Sequence, residues 1–201
     1  MKLVARYICR AGRIGLLLLV GCGLGLEADG AEVLNVVVRE QQGRYELHSE
    51  VLILAPAPEV RALLMDFENL PRINPDLKRV RVLDRKHDGE ARLGIVAEFC
   101  LLACLDLNWV QDVRLQPGGD IAVAIEPNSG DFRQGNGHWR LLPAGTGTRL
   151  IYTVELTPNV WLPPVFGPWL MKRKMAVEAV ETSRALERMA VPNPIPRAAA
   201  P

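Results

Sequence analysis

From His87 to Thr157 the chain is cut by four clusters of turn residues, and this spacing limits what it can fold into more than any other feature. The clusters are His87-Asp88-Gly89, Pro117-Gly118-Gly119-Asp120, Pro127-Asn128-Ser129-Gly130 and Pro143-Ala144-Gly145-Thr146-Gly147. Between them run Ala91–Leu115, Ile121–Glu126, Asp131–Leu142 and Thr148–Thr157, which read as strands joined by tight turns. The first run is too long for one strand of up to ~10 residues, so it folds back near Cys100–Cys104. Upstream, Val33–Arg39 and Arg44–Leu54 form a hairpin, and Arg79–Arg85 is a further strand. Pro58 is placed to open a helix carrying Val60, Leu63, Leu64 and Phe67, broken at Leu70-Pro71 with one more turn at most before Pro75. A helix from about Pro168 to Met189 has no internal Gly or Pro, and Trp169, Leu170, Ala176, Val177 and Val180 form its apolar stripe. The expected class is α+β, a hairpin and a helix pair followed by an antiparallel meander and a long C-terminal helix. A lipocalin, which also has many strands and a late helix, does not normally place helices after its first strands.

Successive connections of a meander alternate between the two ends of the sheet. With the His87 turn at the lower end, the Cys100–Cys104, Pro127–Gly130 and Pro158–Pro168 connections fall at the upper end. The 56–76 helices, which lead into the strand descending to His87, are expected there too. The lower turns are short, polar and Gly-rich. Two upper connections carry Leu101-Leu102-Ala103 and Val160, Trp161, Leu162, Val165 and Phe166. They either plug the open end of the sheet as core or rim a cavity mouth that touches membrane or ligand.

The N-terminus has a different character. Lys2, Arg6, Arg10 and Arg13 precede the apolar stretch Ile14–Leu26, which holds thirteen residues. A bilayer span takes about 20, so the stretch reads as a secretory signal peptide. Leu19-Val20-Gly21-Cys22 resembles the lipobox of bacterial lipoproteins, which implies a lipid on Cys22 as the first mature residue. The expected organisation is a signal peptide at 1–21 (to 25 without lipidation), a linker at 22–32, a domain at 33–190 and a disordered tail at 191–201. Localisation is expected to be periplasmic, with a lipid anchor at Cys22.

Removing the four basic leader residues leaves 20 basic against 23 acidic, with no basic patch for nucleic acid. The mature chain keeps Cys22, Cys100 and Cys104, an odd count resolved by lipidation of the first and pairing of the others. In a straight strand Cys100 and Cys104 would stand ~13 Å apart, whereas across a hairpin they fall within disulfide reach. Two free buried thiols are the alternative. The spacing is wrong for a redox C-x-x-C motif, and no second Cys/His pair completes a zinc site.

Several segments together resemble the START-like (SRPBCC) superfamily, in its polyketide cyclase and coenzyme-Q-binding branch. They are Ala55-Pro56-Ala57-Pro58-Glu59-Val60, Leu63-Leu64-Met65-Asp66-Phe67-Glu68-Asn69-Leu70-Pro71 and Asn74-Pro75, then Gly137-His138-Trp139-Arg140-Leu141 and Gly147-Thr148-Arg149-Leu150-Ile151-Tyr152. The resemblance spans about Val33 to Ala190. It implies a helix-grip fold: a curved antiparallel sheet of about seven strands around the C-terminal helix, here with an extra N-terminal strand, and an apolar cavity between. Members bind lipids, quinones or sterols, cyclise polyketides or act as chaperone-like binders. The export signal, the extra strand and the cysteine pair depart from the simple pattern.

Candidate ligand-binding residues are Trp109, Trp139, Arg140, Tyr152, Trp161, Phe166, Trp169, Met171 and Met175. Gly135, Gly137, Trp139 and Leu141 share one strand face, with Leu150, Tyr152 and Val154 on the next strand. Small glycines opposite bulky aromatics either leave room for a ligand or mark close helix packing. His48, His87 and His138 have no visible partner. Asp66, Glu68 and Asp76 read as helix-end charges paired with Arg72 or Lys78. No catalytic residue, metal site or cofactor is expected. The leading function is a monomeric, exported, membrane-associated binder or carrier of an apolar ligand: quinone, fatty acyl chain or phospholipid. A cyclase- or hydrolase-like enzyme and a ligand-free structural or chaperone-like lipoprotein are the alternatives.

Overall fold

A computed structural model describes residues 31–86, 89–100 and 104–191. The leader, Cys22, most of the linker and the tail lie outside the described residues. Eight strands form one antiparallel sheet: β1 (Glu32–Gln41), β2 (Arg44–Ile53), β3 (Leu77–Arg85), β4 (Glu90–Cys100), β5 (Cys104–Leu115), β6 (Ile121–Ile125), β7 (Phe132–Ala144) and β8 (Gly147–Pro158). Their spatial order is β1-β2-β8-β7-β6-β5-β4-β3, so the sheet is open, with β1 and β3 at its edges. Helix α1 (Ala57–Met65) and a 3-10 helix (Phe67–Arg72) intervene between β2 and β3, and α2 (Gly167–Ala190) closes the chain. The expected helix-grip α+β architecture is present, extra N-terminal strand included.

The alternation read from the sequence sets the faces. On β4, Ala91, Leu93, Ile95 and Phe99 are buried at every second or fourth position, and on β2, Tyr45, Leu47, Ser49, Val51 and Ile53 are all buried. The hairpin between β1 and β2 turns on Gln42 and Gly43, both with positive φ, the geometry of a two-residue turn matched to strand twist. The folding back within 91–115 occurs at the cysteines: Cys100 faces Cys104 across β4 and β5, with Cα atoms 4.0 Å apart, and the two form a disulfide.

Two expectations need correction. The helix pair does not sit wholly at the upper end. β2 descends to Ile53, which pairs with Thr148 at the lower turn, so α1 begins at the bottom. There Thr148 Oγ1 donates to Ala55 O at 2.6 Å and Arg61 Nε donates to Gly119 O at 2.8 Å. Only Asp76, whose carbonyl accepts from Glu98 N, has regained the upper end. α1 also breaks at Asp66, earlier than Leu70-Pro71, and Pro71 lies inside the following 3-10 helix. Gly147 makes the lower packing possible, because a Cβ there would lie 2.4 Å from Ile53 O.

The second correction concerns α2. The stripe Trp169, Leu170, Ala176, Val177 and Val180 is not its buried face; Trp169 and Val177 are exposed. The face turned to the sheet carries Met171, Met175, Ala179, Ser183 and Leu186. In its lower half Leu186, Ala185 and Ala190 join Val51, Ile53, Val60, Leu64 and Leu93 in one core cluster. In its upper half Met171, Met175 and Ala179 join Tyr45, Leu47, Phe99, Leu107 and Phe132 in a second.

Candidate ligand cavity

Between the inner face of the sheet and α2 lies a cavity of about 290 Å³. Its wall is mainly apolar and aromatic: Phe67, Phe99, Trp109, Phe132, Trp139 and Tyr152, with Ile95, Val113, Ile121, Met171 and Met175. This is the composition of small-molecule sites, and the volume lies at their lower limit of ~300 Å³. It suits a single ring system or short chain better than a two-chain lipid.

Five of the nine candidate residues come together in this wall: Trp109, Trp139, Tyr152, Met171 and Met175. Trp139 and Tyr152 are opposite each other on β7 and β8 and stack at 3.8 Å with planes 16° apart. Trp109 meets Phe132 edge-on at 5.3 Å and donates its indole N–H to Gln111 Oε1 at 2.8 Å. The two glycines differ in role. A Cβ on Gly135 would strike Ile125 Cδ1 at 2.6 Å, so that glycine serves packing. One on Gly137 would make only ordinary contacts with Val123 and Tyr152, and Gly137 lines the cavity.

The other four candidates point elsewhere. Arg140 follows Trp139 and so faces the opposite side of the sheet, where its guanidinium lies 3.6 Å from Asp120 beside His138. Trp161 is 79% exposed and Phe166 and Trp169 are exposed too; they stand on the upper rim outside the cavity, with Arg173 over the Trp169 ring. Val165, 90% exposed, extends this apolar rim.

Sequence reasoning missed the polar part of the wall. Asp76, placed with Arg72 or Lys78 from the sequence, instead pairs with Lys174 of α2, Nζ to Oδ2 at 2.5 Å. Lys174 also reaches Glu178 Oε1 at 3.0 Å, one turn further along the helix. Burial works to lower the Lys174 ammonium, and its bonds to the two carboxylates outweigh that and raise it. Burial pushes Glu178 from the usual 4.5 up to about 7, against the pull of Lys174. The Tyr152 phenol is raised by burial and, secondarily, by the Glu178 charge. A carboxyl group near neutrality can take up or release a proton under ordinary conditions, and it accepts a hydrogen bond from any donor brought to it.

Glu98, Cys100 and Cys104 are the one group among the described residues with ligand atoms within 4.8 Å of one another, but the two sulfurs are bonded to each other and are not thiolates.

The family described as polyketide cyclase / dehydrase and lipid transport matches residues 53–182. No curated protein matches the sequence. Among solved structures, a STAR-related lipid transfer protein from Xanthomonas axonopodis superimposes with a TM-score of 0.63 at 20% identity, over 80% of this chain and 98% of that one. The Zhui aromatase/cyclase from a Streptomyces species gives 0.63 at 18% identity, over 73% and 93%. A START superfamily protein from Mycobacterium smegmatis gives 0.59 at 20%, over 72% and 96%. At these identities the likeness is one of fold.

Proposed function

The chain belongs to the polyketide cyclase / dehydrase and lipid transport family, and on that footing we propose that it is an exported protein that binds an apolar ligand under α2 and carries or presents it at a membrane surface. One observation carries the reading: an aromatic-lined cavity of about 290 Å³ whose upper end is rimmed by exposed Trp161, Val165, Phe166 and Trp169. Inserting such side chains into lipid is worth several kcal/mol at ~25 cal/mol per Å². The signal-like leader and Cys22 supply the membrane.

The two features lie at opposite ends. β1 starts at the lower end, where Glu32 pairs with Leu52, and β1 rises ten residues to the upper end. At ~3.3 Å per residue it climbs ~33 Å. The linker after Cys22 reaches at most ~36 Å when extended. A lipid on Cys22 therefore lets the rim touch the bilayer only with the linker stretched along the domain or the domain lying on its side.

Protein purified from its native membranes and extracted for mass spectrometry is expected to yield one apolar compound in stoichiometric amount. Repeated recovery of empty protein argues against the ligand. Cys22→Ala is expected to abolish fatty-acid labelling and release the protein from membranes; labelling that persists removes the anchor from the proposal.

A further inference from the structure

Of the charged residues along the cavity wall all are acids, Asp76, Glu98 and Glu178, and the Glu98 carboxylate turns outward to Lys78. Among the described residues no lysine, arginine or histidine lines it. Compensation comes from behind the wall. Lys174 serves Asp76 and Glu178 together. Lys78 serves Glu98 at 2.6 Å and is shared with Asp106 at 2.7 Å on the outer side. Lys78, Glu98 and Asp106 are all well exposed on the outer face, so that cluster is solvated; at the cavity one ammonium, Lys174, answers two carboxylates, Asp76 and Glu178, and the surplus negative charge is directed at an apolar space where screening is weak.

Resting on the cavity-binding reading above, we propose that the ligand is an apolar molecule with a hydrogen-bond-donating head, a hydroxyl or a protonated amine. Asp76 and Glu178 accept from this head while the body lies between Trp109, Trp139 and Met175. Carboxylate and phosphate heads are disfavoured, because each would stand among like charges with no cation on its side of the wall. The choice separates the ligand from fatty acids and phospholipids, which an apolar lining alone would admit. The aromatic rings add to the case, since their faces attract a cation.

Burial raises the pKa of Glu178, and the neighbouring Asp76 adds to the rise through its hydrogen bond and charge. The groups that face it are Lys174 on its own helix, Asp76 from the segment before β3 and Tyr152 from β8. Only Lys174 among them is cationic.

Four probes with one body and different heads test the inference by calorimetry on the full chain: methylnaphthalene, naphthylmethanol, naphthylmethylamine and naphthoate. At about pH 8 the alcohol and the amine are expected to bind about tenfold tighter than methylnaphthalene, and naphthoate about tenfold weaker, the scale of one charge-assisted hydrogen bond gained or one like charge met. The amine's advantage should shrink on going to about pH 6, as Glu178 takes up its proton, while the alcohol's stays level. Glu178→Gln should cut the amine's advantage and naphthoate's penalty. The triple variant Asp76→Leu, Lys174→Met, Glu178→Leu replaces the whole cluster by apolar groups, a change buried ion clusters tolerate. It should bind methylnaphthalene as the parent does and rank the four probes nearly alike.

Naphthoate binding tightest to the parent, or a ranking that survives the triple variant, overturns the proposal. If methylnaphthalene binds and the heads make no difference, the head-group assignment fails and cavity binding stands. If no probe binds, cavity binding fails and takes this inference with it.

Discussion

The two ends of the domain are built from similar side chains to opposite effect. At the lower end Ile53, Val60, Leu93 and Leu186 are completely buried and interlock between α1, α2 and the sheet. At the upper end Phe99, Leu107, Met171 and Met175 are also shielded from bulk water, yet they border open space. The lower turns are polar and capped by specific bonds, such as Thr148 to Ala55 and Arg61 to Gly119; the upper rim exposes Trp161 and Val165. The contrast teaches that burial is not the same as packing. Apolar area removed from water stabilises both ends, whereas close contact, which adds the last few kcal/mol and a unique arrangement, is concentrated at one.

The contrast is most open to attack through cavity-forming substitutions. Leu186→Ala in the lower core should cost ~3–5 kcal/mol, and Met175→Ala beside the existing cavity about half as much or less, since it enlarges a void that is already there. Urea unfolding of both variants checks this, and equal losses would mean that the two ends are packed alike. A smaller effect, tied to pH, comes from Glu178. Its folded-state pKa is raised, so the folded protein holds this proton more tightly than the unfolded chain does. The resulting stability is fully present below the ordinary value of 4.5 and is lost as pH rises through about 7. Glu178→Gln should therefore leave stability little changed near pH 4 and raise it by up to ~3 kcal/mol near pH 8.5. An advantage that appears at low pH instead reverses the sign and with it the role given to partial burial of Glu178. The smallest stability change belongs to the rim. Trp161→Ser with Val165→Ser should shift unfolding by less than ~0.5 kcal/mol while weakening co-sedimentation with phosphatidylcholine vesicles by about tenfold or more. A large loss of stability would make the rim part of the core.

The lower turns were legible in sequence because their rules are local, although the start of α1 beside them was not. Turn clusters placed the ends of the strands from β5 to β8 within a residue or two, and period-two alternation marked Trp139 as sharing a face with Gly137, opposite which Tyr152 stacks on it. The same alternation explains why Arg140 could not join Trp139. The cavity's polar side had no local signal. Asp76 lies in the turn before β3 and Glu178 on α2, and the bond from Lys174 to Asp76 spans 98 positions. On α2 the apolar count favoured the wrong face. Its inner side needs residues that border a cavity rather than fill a core, and Met175, Glu178, Ala179 and Thr182 serve that purpose where a conventional stripe would have carried Leu and Val. Trp169 lies two residues before Met171, about 200° round the helix, and so was carried to the rim.

The open sheet leaves β3 with a row of unsatisfied backbone groups, a template on which another chain could add a strand and begin a fibre. β3 reads Leu77-Lys78-Arg79-Val80-Arg81-Val82-Leu83-Asp84-Arg85, with four basic residues and one acid in nine positions. Two such edges brought together would set arginine against arginine. Wherever copies of the chain meet at high concentration, the charge on this one strand works against that pairing.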